Sequence, residues 1–481
     1  MQVLKSFLTR LIQFFLFIHL AVSALAQKSI LYFSNDTAGF ASAKIPKAFL
    51  EKDMQYWQTV MEESHVNPYH AISRDALLKL QQEILQTLPD SISHFQASFA
   101  ISRLIGSLDE GHLGFASNAV IDSLFLNHCI RFPYLLQDID NGSFLVQRDL
   151  SPENKLPAFS RIISINDIPV NQLYNRYSTF YGGLEPWKKL MVKNAIRKLL
   201  YMDGITSPFR IKAVVNNDTI VFSATGYSKQ QADSITKVIL SEMKPPLPFS
   251  LQFLPGNIAL IEFNSMKGSL RDSFAVFLRR SFSEIRLRRA AGVIIDLRKN
   301  GGGDSGLGDT LISYISSKPY RNAGGMKMRI SKHSKAWAAM HGATDPFKDW
   351  ENGKLYEYKA TTLTTPAANP LRYNGKVAVL IGTGTFSSAN MLTNAIKDFQ
   401  LATLVGESTA EPANDYGEIF SFMLPYTHIV AQGAFKMFTR ANGDEKDFNG
   451  IRPDIEVTIS AKDISAKQDT VLDRAIAWLL Q

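Results

Sequence analysis

The sequence predicts an α/β protein whose C-terminal half carries a parallel sheet, with a helical segment and a β-rich segment before it. Three observations predict this. Beyond residue 247, short apolar runs alternate with amphipathic stretches of helical period. Two of those runs end in glycine-bearing turns that lead into a helical pattern. Upstream, near Ser117, the hydrophobic period changes from three-to-four residues to two, which separates helices from strands.

Residues 1–26 read as an export signal. Lys5 and Arg10 give a positive start, Leu11 to Val22 is almost entirely apolar, and Ala24-Leu25-Ala26 has the small-x-small form of a cleavage site. The apolar run is short for a membrane span of roughly 20 residues, so cleavage after Ala26 is expected, with no stable membrane insertion afterwards. The mature chain is expected to be periplasmic or secreted. Cys129 is the only cysteine, so no internal disulfide and no thiolate metal site are expected.

Residues 27–116 form the expected helical domain, with helical patterns over Pro46 to Ser64, Ser73 to Leu88 and Asp90 to Gly106. Residues 117–226 form the β-rich module. Its alternating runs include Phe132 to Leu136, Ser143 to Gln147, Arg161 to Ile165 and Thr219 to Ala224, interrupted by one helix around Trp187 to Tyr201. Asn141-Gly142 and Asn216-Asn217-Asp218 mark turns. The polar stretch 227–246, ending in Pro245-Pro246, reads as a linker. In the α/β domain, 247–481, strands are expected at Ile258 to Phe263, Ala291 to Leu297, Lys376 to Ile381 and Ala402 to Val405. Helices are expected at Ser269 to Arg289, Leu307 to Ser316 and Ser387 to Asp398. Lys318 to Leu371 is polar and shows no clear period.

The chain has 481 residues, too many for one core, and its 45% hydrophobic and 20% charged content is that of an ordered protein. The formal net charge of +8 is spread along the chain. The nearest cluster is Arg279, Arg280, Arg286, Arg288 and Arg289, the expected solvated face of an amphipathic helix. With no nucleic-acid module in the sequence, no nucleic-acid partner is expected.

The first glycine turn is Asp296-Leu297-Arg298-Lys299-Asn300-Gly301-Gly302-Gly303. Gly301 to Gly306 also fits G-x-G-x-x-G, but the acid a dinucleotide site needs about twenty residues on is missing from Lys318-Pro319-Tyr320-Arg321-Asn322. No cofactor is expected. The second turn is Gly382-Thr383-Gly384-Thr385-Phe386-Ser387-Ser388-Ala389-Asn390. A serine at the start of a helix sits among unpaired N–H groups that favour negative charge, which suits a nucleophile. The same placement suits a helix cap, so the turn alone leaves both readings open. It is not the G-x-S-x-G elbow of the α/β-hydrolases. Among nine histidines, His112 stands out in Leu108-Asp109-Glu110-Gly111-His112-Leu113-Gly114, a glycine-flanked loop just past a helix. No histidine pair has zincin spacing, so no metal is expected.

Taken together, these motifs resemble the tail-specific, or C-terminal processing, serine peptidases, and within them the branch of the tricorn core. The resemblance spans about residues 45–460. It is carried by Gly292 to Gly303, Gly384 to Ala389, Val405-Gly406-Glu407-Ser408-Thr409, Tyr416-Gly417-Glu418, Leu424-Pro425 and Gly450-Ile451-Arg452-Pro453-Asp454-Ile455. Leu108 to His112 and Glu62 to Tyr69 resemble further family segments.

The resemblance implies a ClpP/crotonase-like catalytic core and a PDZ-like β-rich domain at 117–226, where Ser160 to Pro169 resembles the corresponding hairpin. It implies Ser387 as nucleophile, with oxyanion N–H groups from Ser388 and Gly302. The lysine base of the tail-specific branch is replaced by Pro412, so His112 takes the place of the tricorn-type base, with Asp447 or Glu445 to orient it. Peptides or unfolded proteins are the implied substrates. Two departures stand out: Asn390 where glutamate is usual, and Ala410-Glu411 where relatives often carry two glycines. A pseudo-peptidase that binds peptides without cleaving them is the alternative, and a hydrolase of another acyl bond is a third reading.

Overall fold

The central strands of the C-terminal parallel sheet are buried on both faces, and that dictates how the chain layers. In the computed structural model, which describes residues 44–140, 142–242, 246–340, 347–466 and 468–481, β6 (Phe249–Leu254), β7 (Ile258–Phe263), β8 (Gly292–Asp296), β11 (Val377–Ile381), β12 (Thr403–Gly406) and β15 (Ile455–Glu456) form one sheet. Its order is β15-β12-β11-β8-β7-β6, parallel except for the β6–β7 edge pair. Alternate residues serve opposite faces. Ile261, Val293, Ile295, Val379 and Ile381 pack under α8 (Arg271–Leu287), α9 (Ser305–Ile315) and α11 (Ser388–Phe399). Leu260, Ile294, Ala378 and Leu380 pack under α12 (Thr470–Leu479). The expected signal, residues 1–26, lies outside the described residues.

A second sheet grows out of the stretch that showed no clear period. It contains β9 (Gly325–Arg329), β10 (Leu355–Lys359), β13 (Asp415–Met423) and β14 (Val430–Thr439), antiparallel in the order β10-β9-β14-β13. Its apolar face is covered by the N-terminal helices α1 (Lys47–Ser64), α2 (Arg74–Gln86) and α3 (His94–Gly106), so Trp57, Met61, Ile101 and Leu104 share one core with Phe420, Ile429 and Ala431. Ser93 and Gln96 close a capping box that starts α3, a device worth about 1 kcal/mol. Asp53 on α1 is buried and accepts the backbone N–H groups of Tyr426 and Thr427, at 3.0 and 2.7 Å, which ties α1 to the β13–β14 turn.

The middle module begins with α4 (Ala119–His128). The sheet that follows holds β1 (Tyr134–Asp140), β2 (Ser143–Asp149), β3 (Arg161–Ile165), β4 (Phe209–Val215) and β5 (Asp218–Ala224), antiparallel and adjacent in that order, with the short Ile168–Pro169 beside β3. α5 (Val170–Ser178) and α6 (Glu185–Met202) cover the sheet, burying Leu173, Tyr177, Ile196 and Leu199 against Phe144, Ile162 and Phe209. Within the stretch read as a linker, Lys229–Glu242 is a helix, α7. Most of residues 229–237 are exposed, so this part carries little apolar periodicity, and the helix contains no glycine or proline to break it.

Candidate active site

The two glycine turns meet. Phe386 donates its N–H to the Asn300 carbonyl at 3.0 Å, and Thr385 Oγ1 donates to the Leu297 carbonyl at 3.0 Å. Ser387 then adopts φ 54° and ψ −127°, a conformation costly for any residue but glycine. Although Ser387 occupies the N-cap position of α11, its side chain makes no cap hydrogen bond. Ser388 donates its own hydroxyl to the Gly303 carbonyl at 2.6 Å. The capping explanation for the serine pair therefore fails. Strain at a serine whose hydroxyl is not spent on the helix is a feature of a nucleophile.

Gly302 supports this turn from beneath, at φ +87°. A Cβ on it would lie 2.6 Å from Ser387 Cβ and 2.7 Å from Ser388 N, so only glycine fits. Its expected role needs a correction. The Gly302 N–H donates to Asn300 Oδ1 at 3.0 Å, while Asn300 Nδ2 is anchored on the Phe263 carbonyl, so in this structure that N–H is not an open oxyanion donor. Ser388, in the first turn of α11, has an N–H without an intrahelical acceptor.

His112 arrives from the loop that follows α3. The middle module grips this loop: Trp187 Nε1 donates to the Gly111 carbonyl at 2.9 Å, Lys188 pairs with Asp109 at 2.7 Å, and Gly183 N–H reaches Asp109 Oδ1 at 3.2 Å. From the other side, Gln432 on β14 accepts the Gly114 N–H at 2.8 Å. The His112 ring then lies 4.8 Å from that of Phe386, the residue before Ser387.

The acids beside His112 are not the expected ones. Its Nδ1 lies 3.2 Å from Asp415 Oδ2 and 3.4 Å from Glu411 Oε1. Asp447 instead pairs with Arg440 and accepts from Asn449 at 3.0 Å, and Glu445 pairs with Lys327 at 3.0 Å. The reason is local: Arg440 and Lys327 are cations close at hand on the second sheet and at its end, and they take both carboxylates away from the histidine. Burial alone would push the His112 imidazolium down. The charge and hydrogen bond of Asp415 do most to outweigh burial and hold its pKa up at about 9.

Glu411 and Asp415 are held by the departures noted in the sequence. Asn390 donates to the Pro412 carbonyl at 2.8 Å and Asn394 to the Ala413 carbonyl at 3.0 Å, so α11 carries the loop between the two acids. Thr409 Oγ1 reaches the Glu411 carbonyl at 3.0 Å, and Glu411 accepts the backbone N–H of Ser387.

Residues 257–457 match the model of peptidase family S41. This stretch belongs to peptidase family S41. The tail-specific peptidases to which the motifs pointed fall in that family, and the match supports a serine peptidase. Among solved structures, mature CPAF aligns over 90% of this chain and 98% of its own, at 15% identity and a TM-score of 0.59. Mature CPAF complexed with lactacystin aligns over 90% and 99%, at 16% identity and a TM-score of 0.60. A point mutant of CPAF aligns over 89% and 96%, at 14% and 0.62. At such identities the likeness concerns the mixed α/β fold. No curated protein sequence matches the chain.

The S41 stretch supplies Ser387, both glycine turns, Glu411 and Asp415, while His112 comes from outside it. Asp415 and Glu411 escaped sequence reasoning, although Asp415 directly precedes the Tyr416-Gly417-Glu418 segment that carried the resemblance. Two groups of described residues bring metal-ligand atoms within 4.8 Å: His112, Glu411 and Asp415, and the neighbouring His65, His70 and Glu110. In the second group, His65 Nδ1 accepts the Asn67 N–H at 3.0 Å, which leaves the ring proton on Nε2, 2.6 Å from Glu110 Oε1. His70 likewise spends Nδ1 on the Asn67 carbonyl at 2.9 Å. The nitrogens facing Glu110 are therefore proton donors rather than lone pairs. The cluster reads as a buried pair that steadies the His112 loop.

Proposed function

We propose that this S41 chain is an exported serine endopeptidase that cleaves peptide bonds through an acyl-enzyme on Ser387. The observation that carries the reading is the placement of His112, its Nδ1 on Asp415 and its ring against Phe386, beside a strained serine whose hydroxyl caps nothing. In this reading Ser387 Oγ attacks the scissile carbonyl carbon while His112 Nε2 takes its proton. Asp415 accepts from Nδ1–H, which fixes the tautomer and balances the imidazolium. The Ser388 N–H receives the oxyanion, a contact whose loss typically costs about 10²- to 10³-fold in rate. The C–N bond breaks as His112 returns the proton to the leaving amine. Water then repeats the sequence on the acyl-enzyme.

The histidine base makes the arrangement tricorn-like rather than a serine–lysine dyad, within a crotonase-like core. The β-rich module would serve as the PDZ-like part that holds peptide or unfolded substrates, and the signal at residues 1–26 would export the chain to the periplasm or beyond. Binding without cleavage is a second reading, favoured by one observation: the Gly302 N–H is engaged by Asn300.

The test is labelling of the purified mature protein with a fluorophosphonate, beside Ser387→Ala and His112→Ala. Labelling that both substitutions abolish supports the peptidase. A folded wild type that stays unlabelled at every pH supports the binder.

A further inference from the structure

Glu411 reaches the centre of the site, and none of the acyl-transfer steps above uses it. Its carboxyl is buried, takes the Ser387 N–H on Oε2, and turns Oε1 to 3.4 Å from His112 Nδ1. Oxygen atoms of Glu411 and Asp415 lie within 4.8 Å of each other and of that nitrogen. Among the described residues no lysine or arginine pairs with Glu411. From the His112 loop comes one more acid, Glu110, which His65 and His70 face at 2.6 and 3.7 Å.

Two carboxylates in so small and dry a space do not both ionise. The single Nδ1–H of His112 serves one acceptor well, and Asp415 is both the nearer and the more exposed, with 17% of its side chain accessible against 1% for Glu411. The remaining proton therefore belongs on Glu411.

We propose that Glu411 is a positioning residue that works in its protonated form: one oxygen fixes the strained backbone of Ser387, and the other shares its proton with Asp415, which carries the charge opposite His112. This rests on the acyl-transfer reading above. Burial, and after it the charge of Asp415, push the Glu411 carboxyl well above the usual range, in agreement with the geometry. The arrangement also explains why a glutamate stands where relatives often carry glycine. It replaces backbone freedom with a side-chain strut between nucleophile and base.

The experiment compares fluorophosphonate labelling rates against pH for the wild type, Glu411→Gln, Glu411→Ala and Asp415→Asn. Glutamine has the shape and neutrality of a protonated glutamate, so Glu411→Gln is expected to label within about threefold of wild type at an unchanged pH midpoint. Glu411→Ala is expected to lose about 10- to 100-fold, because the strut is gone, and Asp415→Asn on the order of 10⁴-fold. A Glu411→Gln rate as low as that of Asp415→Asn, or an alanine variant as fast as wild type, overturns the proposal.

Infrared difference spectra give a readout independent of labelling. Near neutral pH the wild type should show a protonated-carboxyl band that Glu411→Gln removes, and identical spectra overturn the proposal. An unlabelled wild type that still shows the band sinks the peptidase reading but keeps the protonated strut.

Discussion

The indole of Trp187 stacks on the ring of Phe386, with centroids 3.9 Å apart and planes within 11°. Because the same indole donates to the Gly111 carbonyl, one side chain of the middle module touches the neighbour of Ser387 and the neighbour of His112. Trp187→Ala is expected to lower the labelling rate by about 10- to 100-fold, since misplacement by about 1 Å has that effect on a reacting pair. Trp187→Phe keeps the stack and loses only the hydrogen bond, about 1 kcal/mol, so it should fall between. Equal rates for all three proteins would show that the module does not position the site.

Labelling should rise as pH passes about 9, because His112 must shed its proton before it can accept one from Ser387. Asp415→Asn should bring the midpoint down towards the ordinary histidine value of about 6.5 as well as reducing the rate. The linkage has the matching sign. A histidine whose pKa is raised on folding stabilises the protein fully below about pH 6.5 and loses that contribution as pH climbs through about 9, at most ~3 kcal/mol. Thermal melts of wild type and His112→Ala between pH 6 and 10 check it: the gap between them should shrink as pH rises.

Asp447→Ala should destabilise the protein without moving the labelling midpoint. It breaks a partly buried pair with Arg440, which Asp398 also holds at 2.6 Å, so a loss of about 1–2 kcal/mol is expected in denaturant unfolding. Glu445→Ala, at an exposed pair with Lys327, should change stability by less than about 0.5 kcal/mol. A midpoint shift in either variant would return that acid to the histidine.

Gly302→Ala should leave the chain folded and lower the labelling rate by on the order of 10²-fold. The new methyl would press on Ser387 Cβ and Ser388 N at a backbone angle that alanine tolerates poorly. Near-normal labelling with intact circular dichroism would mean that the turn yields more easily than its close packing implies.

Ser387 and His112 were legible as candidates because each sits in a local signature. Ser387 follows a wholly buried strand and opens a helix, and His112 follows a helix and lies between glycines. The parallel sheet was legible because β7, β8 and β11 are continuous apolar runs. The acid was not. Asp415 stands at the first residue of β13, and its meeting with His112 depends on the second sheet packing against α1 and α3, a contact between distant parts of the chain. Spacing from the Gly450-Ile451 segment pointed to Asp447 and Glu445, but spacing does not reveal that Arg440 and Lys327 lie closer. The helix α7 was hidden for another reason: a helix with little to bury leaves little periodicity to read.

The shared core of α1, α2 and α3 with the second sheet has a bearing on timing. His112 lies 275 residues ahead of Ser387 in the chain, and the two meet only when α3 has settled on β13 and β14. A molecule without its second sheet has nothing to seat His112 beside the turn that carries Ser387. In the proposed mechanism, activity therefore begins only once the second sheet has formed, whatever the state of the sheet that carries Ser387.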